Sequence, residues 1–328
     1  MRQPALFATV VLLIAVCLAD HAALAQAPPA GAGAAAATAP TQHLTLPVAP
    51  QTIGAAAAPG GSVQFIGTAT VLIRYLGLTI MTDPNFLHKG QLVHLGYGLH
   101  SERLTEPALT LAQLPPIDLV LLSHFHEDHF DRLVQQQLDR NTVIVTTAQA
   151  AGKLQALGFQ RLVALQPWEA LQVAHGDARL TITAMPARHG PAGVAALLPA
   201  VMGAMLDFAG PQQGQHYRMY ISGDTLLYDD IAHIGQRYPG IDLALLHLGG
   251  TRILKVLKVT MDGQDGADML RIIAPARAIP IDYNDYDVFT SPLADFALAV
   301  RAAGLENRIT YLKHGESYAF RDHPESLR

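Results

Sequence analysis

The chain has 328 residues, half of them apolar, 15% charged and 6% aromatic, with a formal net charge of −5. That length suits one large domain or two small ones. The scattered, slightly acidic charges leave no basic face for nucleic acid, and so few aromatics make no base-stacking platform.

The opening stretch MRQPALFATVVLLIAVCLADHAALAQA sets Arg2 before an apolar run from Ala5 to Ala19, followed by Ala23-Leu24-Ala25. This is the n-region, h-region and A-x-A order of a secretory signal peptide, assigned to residues 1–25. The run is short for a membrane span. The mature protein is therefore expected to have no stable span and to be periplasmic or secreted, an uncleaved anchor being the alternative. Bulky Val16 argues against lipidation at Cys17. Cys17 is the single cysteine, so the mature chain would have none, which a domain of this size tolerates. Residues 26–60 are rich in Ala, Pro and Gly, a composition that cannot build a core. They are expected to form a disordered tether, leaving 61–328 as the folded domain.

Within that domain SVQFIG and ATVLIRYLGLTIMTD read as strands, with turns at Gly67 and Gly77. A loop bearing His88, His94 and His100 follows. PPIDLVLLS is an apolar run opened by prolines, as in a strand buried on both faces. FDRLVQQQLD reads as a helix, TVIVTT as a strand, and AQAAGKLQALG as a helix ending at Gly158. EALQVAHGDARLTITAMPA reads as a hairpin turning at HGD. GPAGVAALLPAVMGAM is either core or an apolar lid. A second round has YRMYISGD as a strand, LLYDDIAHIGQRY as a helix, IDLALLHLGG as a strand, MDGQDGADMLRIIA as a helix and RAIPIDY as a strand. SPLADFALAVRAAG then reads as a helix with Ser291 and Pro292 at its cap and first turn, and RITYLKHGE as the last strand. Strands lead and then alternate with helices, twice over, which predicts a layered α/β architecture with two similar halves.

The segment SHFHEDHFD carries three imidazoles and three carboxylates on the loop leaving the buried strand. Extended chain sets His124 and His126 on one side. Asp128 and His129 follow where the chain turns into the helix. Imidazole nitrogen and carboxylate oxygen are the donors that zinc and similar ions take.

HFHEDH resembles the HxHxDH signature of the metallo-β-lactamase superfamily, and other motifs fall in that family's order. MPARHGP supplies a later histidine, His189, and YISGDT an aspartate, Asp224. FIGTATVLIRYLGLTIMTDP, with Asp83, looks like the opening hairpin. The style of the hairpin and of SGDT is most similar to the branch of the L-ascorbate-phosphate lactonases and N-acyl-phosphatidylethanolamine phospholipase D. The resemblance implies a four-layer αββα sandwich with a dinuclear site on one edge. By position, His124, His126 and His189 would hold the first metal, Asp128 and His129 the second, and Asp224 would bridge. Asp282, in AIPIDYNDYDVF, stands where the family has histidine. The expected cofactors are two divalent ions, zinc first, with manganese or iron admitted by the harder carboxylate at 282.

The implied activity is that of a metal-dependent hydrolase, in which a metal-bound hydroxide cleaves an ester, lactone or phosphodiester bond of a small molecule. Asp128 is the candidate catalytic carboxylate. The alternative is a non-hydrolytic metal- or ligand-binding protein, or an iron redox protein, on the same fold. Glu127 is read as a supporting or surface group. Arg188 reads either as an anion contact or as half of a salt bridge. His247 and His314 read either as pocket groups or as satisfied core histidines. Oligomeric state is not legible.

Overall fold

The computed structural model describes residues 40–48, 60–96, 98–212, 214–253 and 256–321. The signal peptide read over 1–25 lies outside the described residues, as does most of the tether read over 26–60.

In chain order the main strands are β1 (Thr41–Thr45), β2 (Gly61–Gly67), β3 (Thr70–Tyr75), β4 (Leu78–Thr82), β5 (Leu119–Leu121), β6 (Val143–Thr146), β7 (Leu162–Ala164), β8 (Ala170–His175), β9 (Ala178–Met185), β10 (Gly203–Ala209), β11 (His216–Ile221), β12 (Leu243–His247), β13 (Arg277–Ile281) and β14 (Ser317–Phe320). The helices are α1 (Arg132–Gln137), α2 (Ala148–Ala156), α3 (Ala232–Arg237), α4 (Gly263–Ile273) and α5 (Leu293–Ala302). The strands make two seven-stranded sheets, ordered β1-β8-β9-β10-β11-β12-β13 and β14-β2-β3-β4-β5-β6-β7.

The layering follows from the period of two along each strand. Leu119 and Leu121 of β5 face the space between the sheets, where they meet Leu206, Leu245 and Ile279. Val120, on the other face, packs with Phe130, Val134 and Leu154 of the α1–α2 side. On the far sheet, Leu243 and Leu245 of β12 face inward, while Ala244 and Leu246 pack with Met269, Leu270 and Phe296 of α4 and α5. Helix, sheet, sheet, helix is the αββα sandwich. Buried polar side chains gather at one edge, beyond the carboxyl ends of β4, β5, β11, β12 and β13. In the sheets, β4–β5 and β11–β12–β13 run parallel, so their ends share that edge.

Four elements differ from expectation. Thr41–Thr45, inside the stretch read as tether, forms the edge strand β1 and pairs in parallel with β8. Leu46 enters the central core and Leu44 packs against it, so a short alternating run, TQHLTLPV, escapes the low-complexity sequence around it. The end of the apolar stretch read as core or lid, from Gly203, runs into strand β10, GAMLDFA, in the middle of its sheet. The segment read as the last strand contributes only a single parallel bridge, Ala278 to Ile309. The chain joins the sheet edge later, after a turn at Gly315 (φ +88°), and the strand there is β14. Ser291 does not cap α5; its Oγ accepts from the Gly263 amide at 2.9 Å, at the start of α4.

Candidate metal centre

The loop after β5 folds so that its polar side chains turn inward. His129 N and Phe130 N both donate to His126 O, at 3.1 and 2.9 Å, which closes a tight turn before α1. Asp131 is the N-cap of α1, accepting from Val134 N at 2.9 Å; its other oxygen accepts from Leu87 N at 2.8 Å and from Phe86 N. One carboxylate thus ties the helix to the loop after β4. Gly223, in SGD, has φ +61°, and a Cβ there would lie 2.6 Å from Met202 O. Only glycine lets this chain pass so close and deliver Asp224 to the edge.

Three groups of donor atoms converge, each within 4.8 Å: His124, His126 and His189; His124, His129 and Asp224; and Asp83, His129 and His247. His124 Nε2 and His126 Nδ1 are 3.0 Å apart. Two nitrogens at about 2.0–2.1 Å from one tetrahedral ion would stand about 3.4 Å apart, so a small adjustment seats an ion. His129 Nε2 lies 3.5 Å from Asp224 Oδ2 and 4.0 Å from Asp128 Oδ2, and His189 Nε2 lies 4.0 Å from the same Asp224 oxygen. Asp224 therefore stands between the first three histidines and His129. Asp282 belongs to none of the three groups. It is buried beside them, on left-handed backbone (φ +56°), where the charges of Asp224, His129 and Asp128 act on it.

Two of the three first-site imidazoles are oriented from behind. His124 Nδ1 meets Ser123 Oγ at 2.9 Å, and His189 Nδ1 meets Val259 O at 2.9 Å. These contacts leave Nε2 of both rings pointing into the centre. Asp83 orients the second group. Its Oδ1 accepts from Ser123 N at 2.7 Å, while Oδ2 lies 3.3 Å from His129 Nδ1 and 3.5 Å from His247 Nε2.

The charges have plain causes. Burial, then the neighbouring imidazoles, hold His124 and His126 well below the usual histidine range, and burial does the same, less strongly, to His189. Neutral imidazole is the form that ligates. Burial raises Asp128 to about 6. Burial, then the charge of Asp224, holds Asp282 well above the carboxylate range. Burial would lower His129, but Asp224 and Asp128 outweigh it and raise it well above normal. Burial would raise Asp224, but His129 outweighs it and holds the carboxyl well below.

Asp128 Oδ1, His129 Nε2, Asp224 Oδ1 and Asp282 Oδ1 are buried without a hydrogen-bond partner. Unsatisfied buried polar atoms are costly, and those of Asp128, His129 and Asp224, whose side chains lie within about 4 Å of one another through His129, are what a bound cation would satisfy. The residues present fit a metal centre of mixed nitrogen and oxygen donors.

The remaining sequence candidates fall into place around it. His247 is a supporting group at the edge, its Nδ1 3.1 Å from Ser222 Oγ. His314 lies away from the cluster, 3.2 Å from Asp285 Oδ1 and edge-on to Phe65. Arg188 has no ion-pair partner among the described residues; its guanidinium covers the Tyr228 ring at 4.2 Å. Glu127 is a latch, binding Arg132 at 3.0 Å and accepting from His94 N at 2.7 Å. His88 pairs with Glu106 on the surface, and His94 meets His100 edge-on in the hairpin of Leu92–His94 with His100–Glu102. Asp83 was marked in the sequence only as part of a hairpin turn. Its position at the end of a strand, matching that of Ser123 and His124 on the next, was the signal of its role.

Known proteins resemble this chain in sequence and in fold. The chain is 28% identical over 257 residues to a UPF0173 metal-dependent hydrolase of Thermus thermophilus, covering 77% of this chain and 96% of the relative. Among solved structures, an isothiocyanate hydrolase from Delia radicum gut bacteria superposes with a TM-score of 0.67 at 22% identity, covering 79% of this chain and 99% of that one. CmlA, a diiron β-hydroxylase from Streptomyces venezuelae, shares the fold at a TM-score of 0.55 and 16% identity, over 81% of this chain and 55% of its own. A family model described as a beta-lactamase superfamily domain matches residues 80–283, a span that holds every converging side chain from Asp83 to Asp282. The chain belongs to the beta-lactamase superfamily.

Proposed function

We propose that the protein is a metal-dependent hydrolase of a small molecule, exported to the periplasm or beyond, with a dinuclear centre. The observation that carries this reading is the convergence of His124, His126, His189, His129 and Asp224, with orphaned oxygens of Asp128 and Asp282 beside them. When bound, divalent ions at such a site make water a nucleophile at neutral pH and polarise the bond attacked.

The chain's own residues do the rest. His124, His126 and His189 would hold one ion; Asp128, His129 and Asp282 would hold the other, with Asp224 between. Zinc suits the imidazole-rich group, and the carboxylates at 128 and 282 also suit manganese or iron. Asp128 would take a proton from the attacking water and return it to the leaving group. Asp83 and Ser123 keep the imidazoles aimed while this happens. The hairpin and SGDT motifs favour a lactone or phosphodiester as the bond cleaved.

The test is metal analysis of protein purified without added metal, followed by chromogenic esters, lactones and phosphodiesters offered with zinc, manganese or iron. Two equivalents of bound metal and metal-dependent turnover are expected, with His126→Ala losing at least one equivalent. Metal-free protein that neither takes up an ion nor hydrolyses any substrate would end the reading. N-terminal sequencing of native material tests export, the expected mature residue being Gln26.

One observation favours a second reading. Asp282 makes the second group oxygen-rich, as suits iron, and the protein would then carry out redox chemistry. Bound iron that cycles between oxidation states, without any hydrolysis, would select it.

A further inference from the structure

A cleft of about 580 Å³ opens beside the metal centre, lined by Phe125, His126, Lys153, Leu197, Leu198 and Pro199 among others. His126 is the one proposed first-site ligand that is not buried. It both lines this cleft and belongs to the metal group, so the cleft adjoins the reaction centre.

The walls are chemically uneven. Leu197, Leu198, Pro199 and Phe125 give the cleft an apolar lining. Gln149 Oε1 accepts from Ala200 N at 2.8 Å and ties the segment beside Pro199 to α2. Lys153, on the same helix, holds its ammonium 5.2 Å from the centre of the Phe125 ring. Lys153 is exposed, so its ammonium stands beside that ring within reach of an anion entering the cleft. Its field reaches His126, where it opposes protonation. Among the described residues Lys153 has no ion-pair partner. The carboxylate that lines the cleft, Glu127, is already bound to Arg132 and to His94 N. A lysine ammonium therefore shares the lining of an apolar groove, and the nearby acid is neutralised by another residue.

Resting on the hydrolase reading, we propose that Lys153 selects substrates with an anionic substituent, a carboxylate or phosphate, at the far end of an apolar body whose scissile bond lies at His126. The apolar body occupies the groove between Phe125 and Leu197–Pro199, and the anion meets the ammonium. Lys153 is a specificity residue and takes no part in bond cleavage.

The test separates the charge from the metal. Alkyl hydroxamates bind metal through the hydroxamate alone, while dicarboxylic monohydroxamates of four to eight carbons add a terminal carboxylate. Binding of both series to zinc-loaded protein is measured by calorimetry. The carboxylated probe of best length is expected to bind about fivefold more tightly than its neutral counterpart, the scale of a partly exposed ion pair. Lys153→Gln should abolish that preference and leave neutral hydroxamates unchanged, Lys153→Arg should retain it, and added salt should shrink it. Phosphate-terminated probes distinguish the two anions. Equal binding of charged and neutral probes to the parent, or a preference that survives Lys153→Gln, overturns the inference and leaves the hydrolase reading standing. Failure of both series to bind overturns the metal centre and the inference together.

Discussion

Asp83 Oδ2 stands 3.3 Å from His129 Nδ1, on the opposite side of the ring from the nitrogen that faces Asp224. The two residues lie on the loops that leave the neighbouring parallel strands β4 and β5, whose ends are cross-linked by Asp83 N donating to Leu121 O at 3.1 Å. Asp83→Asn keeps the shape and the bond to Ser123 but removes the charge that aims His129. Metal affinity at the second position should fall about 10–100-fold, as for other supporting carboxylates. Competition with a chromogenic chelator measures it. Unchanged affinity would show that Asp83 only ties the loop.

Asp282 tests the second position directly. Asp282→Ala should lose the second ion and keep the first. Asp282→His should raise zinc occupancy there toward a full equivalent, because imidazole suits zinc better than carboxylate does. Titration of metal-free protein followed by calorimetry reads both changes. An Asp282→Ala variant that binds two ions as tightly as the parent removes this residue from the site.

Metal binding should release protons. In the metal-free protein the raised groups, His129 and Asp282, keep their protons above their ordinary values, and Asp128 does so up to about 6. An ion favours the deprotonated form of each. Affinity should therefore rise with pH across the neutral range and more steeply below about 6, where Asp128 joins. The lowered histidines, His124, His126 and His189, are already neutral at pH 7 and contribute little there. Calorimetry in buffers of different ionisation enthalpy counts the protons, and binding heats that do not depend on the buffer would refute the assignment.

The edge strand makes a stability prediction. Leu46 is 3% exposed, and its amide donates to Ala174 O at 2.9 Å. Leu46→Ala should cost about 2–4 kcal/mol, the usual range for a buried leucine. Urea unfolding of the mature chain checks this. A loss under about 0.5 kcal/mol, the scale of a neutral surface change, would detach β1 from the folded unit.

The parts of this site differ in how readily the sequence reveals them, and the reason is physical. His124, His126, Asp128 and His129 are legible because one loop presents them all, and such a cluster has little other use. His189 and Asp224 emerge only beside a known family, since each is a lone polar residue at a strand end. Asp83 and His247 carry still less local signal; they meet only when two sheets are stacked. Buried strands such as β5 and β12 announce themselves as unbroken apolar runs. The β1 strand does not, because its pairing partner is more than a hundred residues away and its flanks are low in complexity. The turn at Gly315 defers the final strand, which sequence places too early because RITYLKHGE has strand composition without a sheet edge to meet.

The left-handed backbone at Asp282 also bears on how this centre could change over time. A positive φ disfavours β-branched side chains, whereas aspartate, asparagine and histidine are the residues that tolerate it best. Aspartate and histidine codons differ by a single base. One mutation can thus exchange an oxygen donor for a nitrogen donor at this turn without a conformational penalty to the loop. With Asp282 holding the second ion as proposed, descendants of such a chain could move between harder and softer metals while the scaffold stays as it is, and the backbone at this turn would keep metal preference open to selection.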